Sequence, residues 1–166
     1  PLGTEFLKKP FKAAMFTSHL REPRKTLLRA VKSVISVEGY GPYFDQNIKH
    51  HNSSNITKKN ILEEYAFNLC PENGMYPGYY TEKIPESFMA DSLPITWADS
   101  NISVDFNPSA FINLAPMTAN NFHELSEILE SQARLKEYAD QPLLINTPTL
   151  NKHKEFIKEI LSQALS

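Results

Sequence analysis

The sequence predicts an α/β fold, a Rossmann-like parallel sheet with helices on both faces. Two observations predict it. Short apolar runs of strand length alternate with longer segments whose apolar residues recur at helical spacing, as repeated βαβ units require. Gly, Pro and Asn punctuate the joins between them. The 166 residues suffice for one domain with a sizeable core, and 41% hydrophobic with 22% charged residues is ordinary for a globular chain.

Phe11 to Thr17 is an apolar run that reads as a buried strand. Glu22-Pro23 opens a helix, since proline is accepted in a first turn. Its apolar face carries Leu27, Leu28, Val31, Val34 and Ile35. Val37-Glu38 reads as a short second strand, broken by Gly39, Gly41 and Pro42. Residues 45–60 are polar and read as a long surface loop containing His50-His51. Ile61 to Tyr65 ends a short helix, Ala66 to Cys70 is a buried strand, and Pro71 to Tyr79 is a loop. Thr81 is a candidate cap for a helix reaching Ala90, with Pro85 tolerated because it lies near the start. Leu93 to Trp97 and Phe111 to Leu114 are further strands. Asn120 or Asn121 caps a helix bearing Leu125, Ile128 and Leu129; another runs to Tyr138, and an amphipathic one spans Lys152 to Leu165. Ligands of parallel sheets bind beyond the carboxyl ends of the strands, which directs attention to the loops after Thr17 and Cys70.

A net charge of −2 gives no broad basic field, which argues against a general nucleic-acid binder. The single cysteine, Cys70, allows neither an intramolecular disulfide nor a Cys-based zinc site. No apolar run approaches the roughly 18 residues of a membrane span, and no secretory apolar core opens the chain. Residues 1–6 read as a remnant of protease cleavage and cloning, leaving 7–166 as the expected folded domain. The Asn-x-Ser/Thr triplets at Asn52, Asn55 and Asn101 carry no weight without a secretory signal.

Two predicted helices carry cations in their first turns: Arg24 with Lys25, and Lys83. The helix N-terminus is the positive end of the macrodipole, so a cation there costs roughly 0.3–1 kcal/mol. A bound anion would remove that cost, and two such turns on adjacent loops suit a diphosphate. The ordinary alternative is local pairing, Arg24 with Glu22 and Lys83 with Glu86. Glu82 is equally two-sided: favourable to a helix start for structural reasons alone, or a carboxylate facing a sugar or a developing positive charge. His50-His51 is a solvated loop pair or a pair of metal ligands.

Asn68-Leu69-Cys70-Pro71-Glu72-Asn73, followed by Gly78-Tyr79-Tyr80-Thr81-Glu82-Lys83-Ile84, resembles the signature of family-10 α-1,3-fucosyltransferases. There, a Phe-Glu-Asn turn precedes Tyr-x-Thr-Glu-Lys opening a helix. Leu93-Pro94-Ile95, Asp105-Phe106-Asn107-Pro108 with Ser109 to Asn113, and upstream Phe16-Thr17-Ser18, Arg24 and Val37 to Gly41 resemble flanking segments. The resemblance implies the C-terminal half of a GT-B glycosyltransferase, the half that binds GDP-fucose. It also implies an N-terminal acceptor domain that supplies the general base, absent from this chain, so donor binding without transfer is expected. Transfer is inverting, to a glycan hydroxyl.

Residue by residue, the resemblance makes Arg24 and Lys83 the neutralisers of the leaving diphosphate. Glu82 is the carboxylate that contacts the donor and stabilises the sugar cation. Tyr79 is a donor contact, and Glu72 and Asn73 line the same site. No metal and no obligatory cofactor are implied, and the chain contains no Asp-x-Asp motif. Pro71, His19, Gly74 and Pro85 depart from the pattern. These departures keep two alternatives open, a non-catalytic nucleotide-binding or interaction module and a transferase of another GDP-sugar. The lone Cys70 departs from the Cys-x-x-Cys of the animal Golgi enzymes, so a microbial protein, cytoplasmic or peripheral to a membrane, is expected.

Overall fold

The computed structural model describes residues 1–44, 58–146 and 150–164. His50-His51 and the triplets at Asn52 and Asn55 lie outside them.

The strands are β1 (Lys12–Phe16), β2 (Ser36–Tyr40), β3 (Phe67–Leu69), β4 (Leu93–Thr96) and β5 (Ile112–Asn113). They form one sheet in the order β2-β1-β3-β4-β5, every neighbouring pair parallel. Ala13 sits between Val37 on one side and Phe67 on the other. The helices are α1 (Arg24–Lys32), α2 (Lys58–Leu62), α3 (Lys83–Met89), α4 (His123–Leu129), α5 (Gln132–Asp140) and α6 (Asn151–Ala164).

Alternation along the strands divides the core in two. Ala13 and Met15 of β1, Phe67 and Leu69 of β3, and Leu93 and Ile95 of β4 pack with Leu27, Leu28 and Val31 of α1. Leu125, Ile128 and Leu135 of α4 and α5 complete that layer. Ala14 faces the other way, onto Leu62, Tyr65 and Ala90, the layer of α2 and α3. Helices therefore cover both faces, as the alternating pattern predicts.

The second layer is partly polar. Asn68 points from β3 to α3, donating to Ser87 Oγ at 2.8 Å, and Ser87 Oγ donates to the Lys83 carbonyl at 2.7 Å. Cys70 lies 3.9 Å from Ser87 Oγ, and burial pushes its thiol up to about 12.

Several boundaries differ from the sequence reading. Gly39 does not break β2 but lies within it, because the Phe44 ring covers that point; a Cβ there would meet the ring at 2.2 Å. The chain turns at Gly41, whose φ of +95° glycine adopts freely and whose missing Cβ lets it approach the Thr17 carbonyl. Helix α1 stops at Lys32, so Val34 and Ile35 belong to the turn that leads into β2. Neither Asn120 nor Asn121 caps α4; Phe122 holds that place with a φ of +61°.

Residues 1–6 are not outside the fold, contrary to the sequence reading. Phe6 is completely buried, edge-on to Phe67 at 6.0 Å, and Leu2 is buried in the same layer. The Gly3 N–H donates to the Ala139 carbonyl at 2.9 Å. An apolar ring with a vacant face to cover is buried whatever the origin of the segment that carries it.

Phe6→Ala is expected to cost about 3–5 kcal/mol, a fall in Tm on the order of 10 °C in a thermal melt. A fall of under about 2 °C would show that the first turn contributes nothing to the core.

Candidate functional site

The connection from β1 to β2 runs to one side of β1, while β3, β4 and β5 follow on the other. A crevice therefore opens between the carboxyl ends of β1 and β3, the switch point where ligands of such sheets bind. The loops after Thr17 and Cys70 meet there.

Arg24, in the first turn of α1, reaches into this crevice and is 7% exposed. Its Nη1 donates to Thr17 Oγ1 at 3.2 Å and lies 3.0 Å from His19 Nε2; its Nη2 donates to Asn73 Oδ1. Asn73 Nδ2 donates in turn to the Tyr79 hydroxyl at 3.2 Å. None of these partners is a carboxylate. Burial lowers the pKa of the guanidinium, and the nearby Glu72 and Tyr79 oppose that.

Glu72 is next to Asn73 and has no exposed side-chain surface. Its Oε1 accepts from the Thr81 N–H at 2.9 Å, both oxygens accept from Thr81 Oγ1 at 3.1 Å, and Oε2 accepts from Lys83 Nζ at 2.5 Å. Lys83 Nζ also donates to Thr81 Oγ1 at 2.8 Å. The Glu72 N–H donates to the Trp97 carbonyl at 3.0 Å, fixing the residue to the end of β4.

Local pairing is thus wrong for both cations. Glu22 accepts from the Thr26 N–H at 3.2 Å, and Glu86 pairs with Lys58 at 2.5 Å. Lys83 is paired with a carboxylate from another loop, while Arg24 has neutral partners. Thr81 does not cap α3 as its position suggests; Glu82 occupies the N-cap, and the Thr81 hydroxyl serves Glu72 and Lys83.

Of the predicted site residues, Arg24, Asn73 and Tyr79 form one chain of contacts, and Glu72 and Lys83 form a second. Consecutive residues, Glu72 and Asn73, anchor the two. Glu82 is exposed beside Lys83. A hydrogen bond from its own backbone N–H holds its carboxyl below the usual range, against desolvation and with help from Lys83.

Sequence reasoning gave no role to Thr17 and noted His19 only as a departure. Nor did it find a cleft of about 560 Å³ at the carboxyl ends of β4 and β5, lined by Ala98, Ile102, Phe111, Asn113 and Met117 and reached by Met75. Asn113 shapes its floor, accepting from the Ala98 and Ala115 N–H groups and donating to the Ala98 carbonyl. Among the described residues no cluster of three or more His, Cys, Asp or Glu could hold a metal ion. None of the described helices is long and apolar enough to cross a membrane.

The chain is similar to known fucosyltransferases in sequence and in structure. It is 32% identical over 126 residues to the alpha-(1,3)-fucosyltransferase FucT of Helicobacter pylori, an alignment covering 75% of this chain and 25% of that protein. A crystal structure of an alpha1,3-fucosyltransferase with GDP-fucose superposes with a TM-score of 0.75 at 26% identity, over 95% of this chain and 48% of that one. One described simply as a crystal structure of alpha1,3-fucosyltransferase gives a TM-score of 0.72 at 27% identity, over 95% and 47%. The chain thus spans about a quarter of the curated relative and about half of the solved ones. The family described as "Glycosyltransferase family 10 (fucosyltransferase) C-term" matches residues 6–141, and the chain belongs to that family.

Proposed function

We propose that the chain is the donor half of an inverting fucosyltransferase and binds GDP-fucose across the carboxyl ends of β1 and β3. The observation that carries this reading is Arg24, a guanidinium 7% exposed whose partners are a hydroxyl, an imidazole and an amide. A buried charge whose hydrogen-bond partners are all neutral is costly, and a diphosphate in the crevice would put negative charge in direct contact with it. The fixed donors of a guanidinium match phosphate geometry. The solved relative with GDP-fucose supports the choice of ligand.

In the transfer step the acceptor oxygen forms a bond to C1 of fucose as the bond from C1 to the phosphate oxygen breaks. The electron pair leaves with GDP, and the acceptor proton passes to a base outside this donor site. Negative charge on the phosphate grows along that path, so Arg24 favours the transition state over the ground state. Lys83 adds a second cation, tempered by Glu72. In this reading Glu82 faces the sugar as it becomes cationic, Tyr79 is a further donor contact, and Glu72 and Asn73 hold the cations in place. The acceptor is a glycan hydroxyl presented by an N-terminal domain, and the chemistry needs no metal.

Arg24→Met is expected to leave the free protein as stable or more so, since it removes a buried charge whose hydrogen-bond partners are all neutral, and to weaken GDP and GDP-fucose by about 10- to 100-fold. Thermal shift with GDP, GDP-fucose, GDP-mannose, UDP and ADP reads both quantities and ranks the sugars. A lower Tm with unchanged nucleotide affinity would make Arg24 a structural residue and sink the proposal.

Lys83→Met strands the buried Glu72 carboxylate, which is expected to cost about 3–5 kcal/mol. Adding Glu72→Gln should restore most of that stability without restoring nucleotide binding. A double variant that binds GDP like the wild type would remove Lys83 from the donor site.

A further inference from the structure

His19 lies on the loop between β1 and α1, with its ring exposed and its backbone fixed. Thr17 Oγ1 donates to the His19 carbonyl at 2.6 Å, and the same oxygen accepts from Arg24 Nη1 at 3.2 Å. One hydroxyl therefore sets both residues side by side. His19 Nε2 is 3.0 Å from Arg24 Nη1, and the Arg21 N–H points at Nδ1 from 3.5 Å. A guanidinium only donates, so the Arg24 contact calls for the lone pair of Nε2; Nδ1 then carries the ring proton, and the Arg21 N–H at 3.5 Å is a long approach rather than a hydrogen bond.

We propose that His19 is a proton-linked ligand of the phosphate that Arg24 holds: the ring takes up a proton as the nucleotide binds, and affinity rises as the pH falls. The inference rests on the donor reading above. Among the described residues, the charged groups that face the ring are Arg21 on its own loop and Arg24 on α1. From the loop after β3 come the neutral Asn73 and Tyr79, while Glu72 is committed to Thr81 and Lys83. With nothing anionic beside it among the described residues, the ring stays below the usual histidine value; desolvation is the first cause, and Arg24 and Arg21 follow.

A diphosphate reverses that balance. It brings negative charge to within reach of the ring, and an opposite charge at about 4–6 Å moves a pKa by one to three units. It also offers oxygens that accept from both guanidinium and imidazolium, so the lone pair on Nε2 is no longer needed by Arg24. One proton passes from solvent to the ring and no other bond changes. The pKa in the complex exceeds that of the free protein. The added affinity is therefore fully present below the free value and is lost as the pH rises through the bound value. An asparagine in this place would hydrogen-bond without titrating.

The test is calorimetric titration with GDP-fucose, whose diphosphate diester stays ionised near neutrality, from about pH 5.5 to about pH 8 in buffers of different ionisation heat. Wild type is expected to bind about tenfold tighter at the acid end, with net proton uptake. His19→Asn should abolish both the slope and the uptake while still binding. Arg24→Met should weaken binding at every pH, which separates the loss of the site from the loss of the proton. A flat profile in wild type, or the same slope in His19→Asn, overturns the proposal. Binding of GDP-fucose to neither protein at any pH overturns the donor reading and this inference with it.

Discussion

A carboxylate with no exposed surface must find a donor for each lone pair it keeps and a cation for its charge, and the end of β3 is organised around that requirement. Glu72 meets it with the Thr81 N–H, the Thr81 hydroxyl and the Lys83 ammonium. These contacts close the loop between β3 and α3 and fix where α3 begins. They place Lys83 at the crevice rather than in solvent. Because Asn73 follows Glu72, the same turn also receives the guanidinium of α1. Two helices that start on opposite faces of the sheet are thereby brought to one pair of residues.

The sheet and the polar seam behind it make that turn rigid. Cys70 donates its N–H to the Ile95 carbonyl and accepts from Thr96 Oγ1, so pairing with β4 continues past the last residue of β3. Asn68 and Ser87 join β3 to α3 below the site. Polar contacts with every partner in place fix one arrangement more sharply than apolar packing would, because each alternative leaves a buried group without a partner. The contrast between the two cations follows. Lys83 is held by a charge that belongs to the protein, whereas Arg24 is held by neutral groups and keeps its capacity for an anion.

The fold was legible in the sequence because strands buried on both faces leave continuous apolar runs, as in Ala66 to Cys70 and Leu93 to Trp97. Gly39 misled because glycine also serves where a ring must lie flat on a strand, and Phe44 comes from beyond the turn. Phe6 was passed over because its segment resembles a cloning remnant, while its burial depends on Phe67, which is remote in sequence. At the site, Arg24 and Lys83 stood out because a cation is misplaced at a helix start. Glu72 and Asn73 came only from the family resemblance, and their pairing with these cations was not legible, since Glu72 is eleven residues from Lys83 and Asn73 forty-nine from Arg24. Thr17, Thr81 and His19 are unremarkable letters whose meaning arises only when two loops converge.

The thiol on the buried side of that turn has its own consequence. Cys70 is the single cysteine of the chain, and burial pushes its pKa up to about 12, so the thiolate that alkylating reagents attack is scarce while the fold is closed. An alkylating reagent can therefore modify it quickly only when β3 separates from α3. The labelling rate of one atom becomes a clock for the separation of β3 from α3, read by mass without any engineered probe, and any ligand that binds only the closed form slows that clock in proportion to its occupancy.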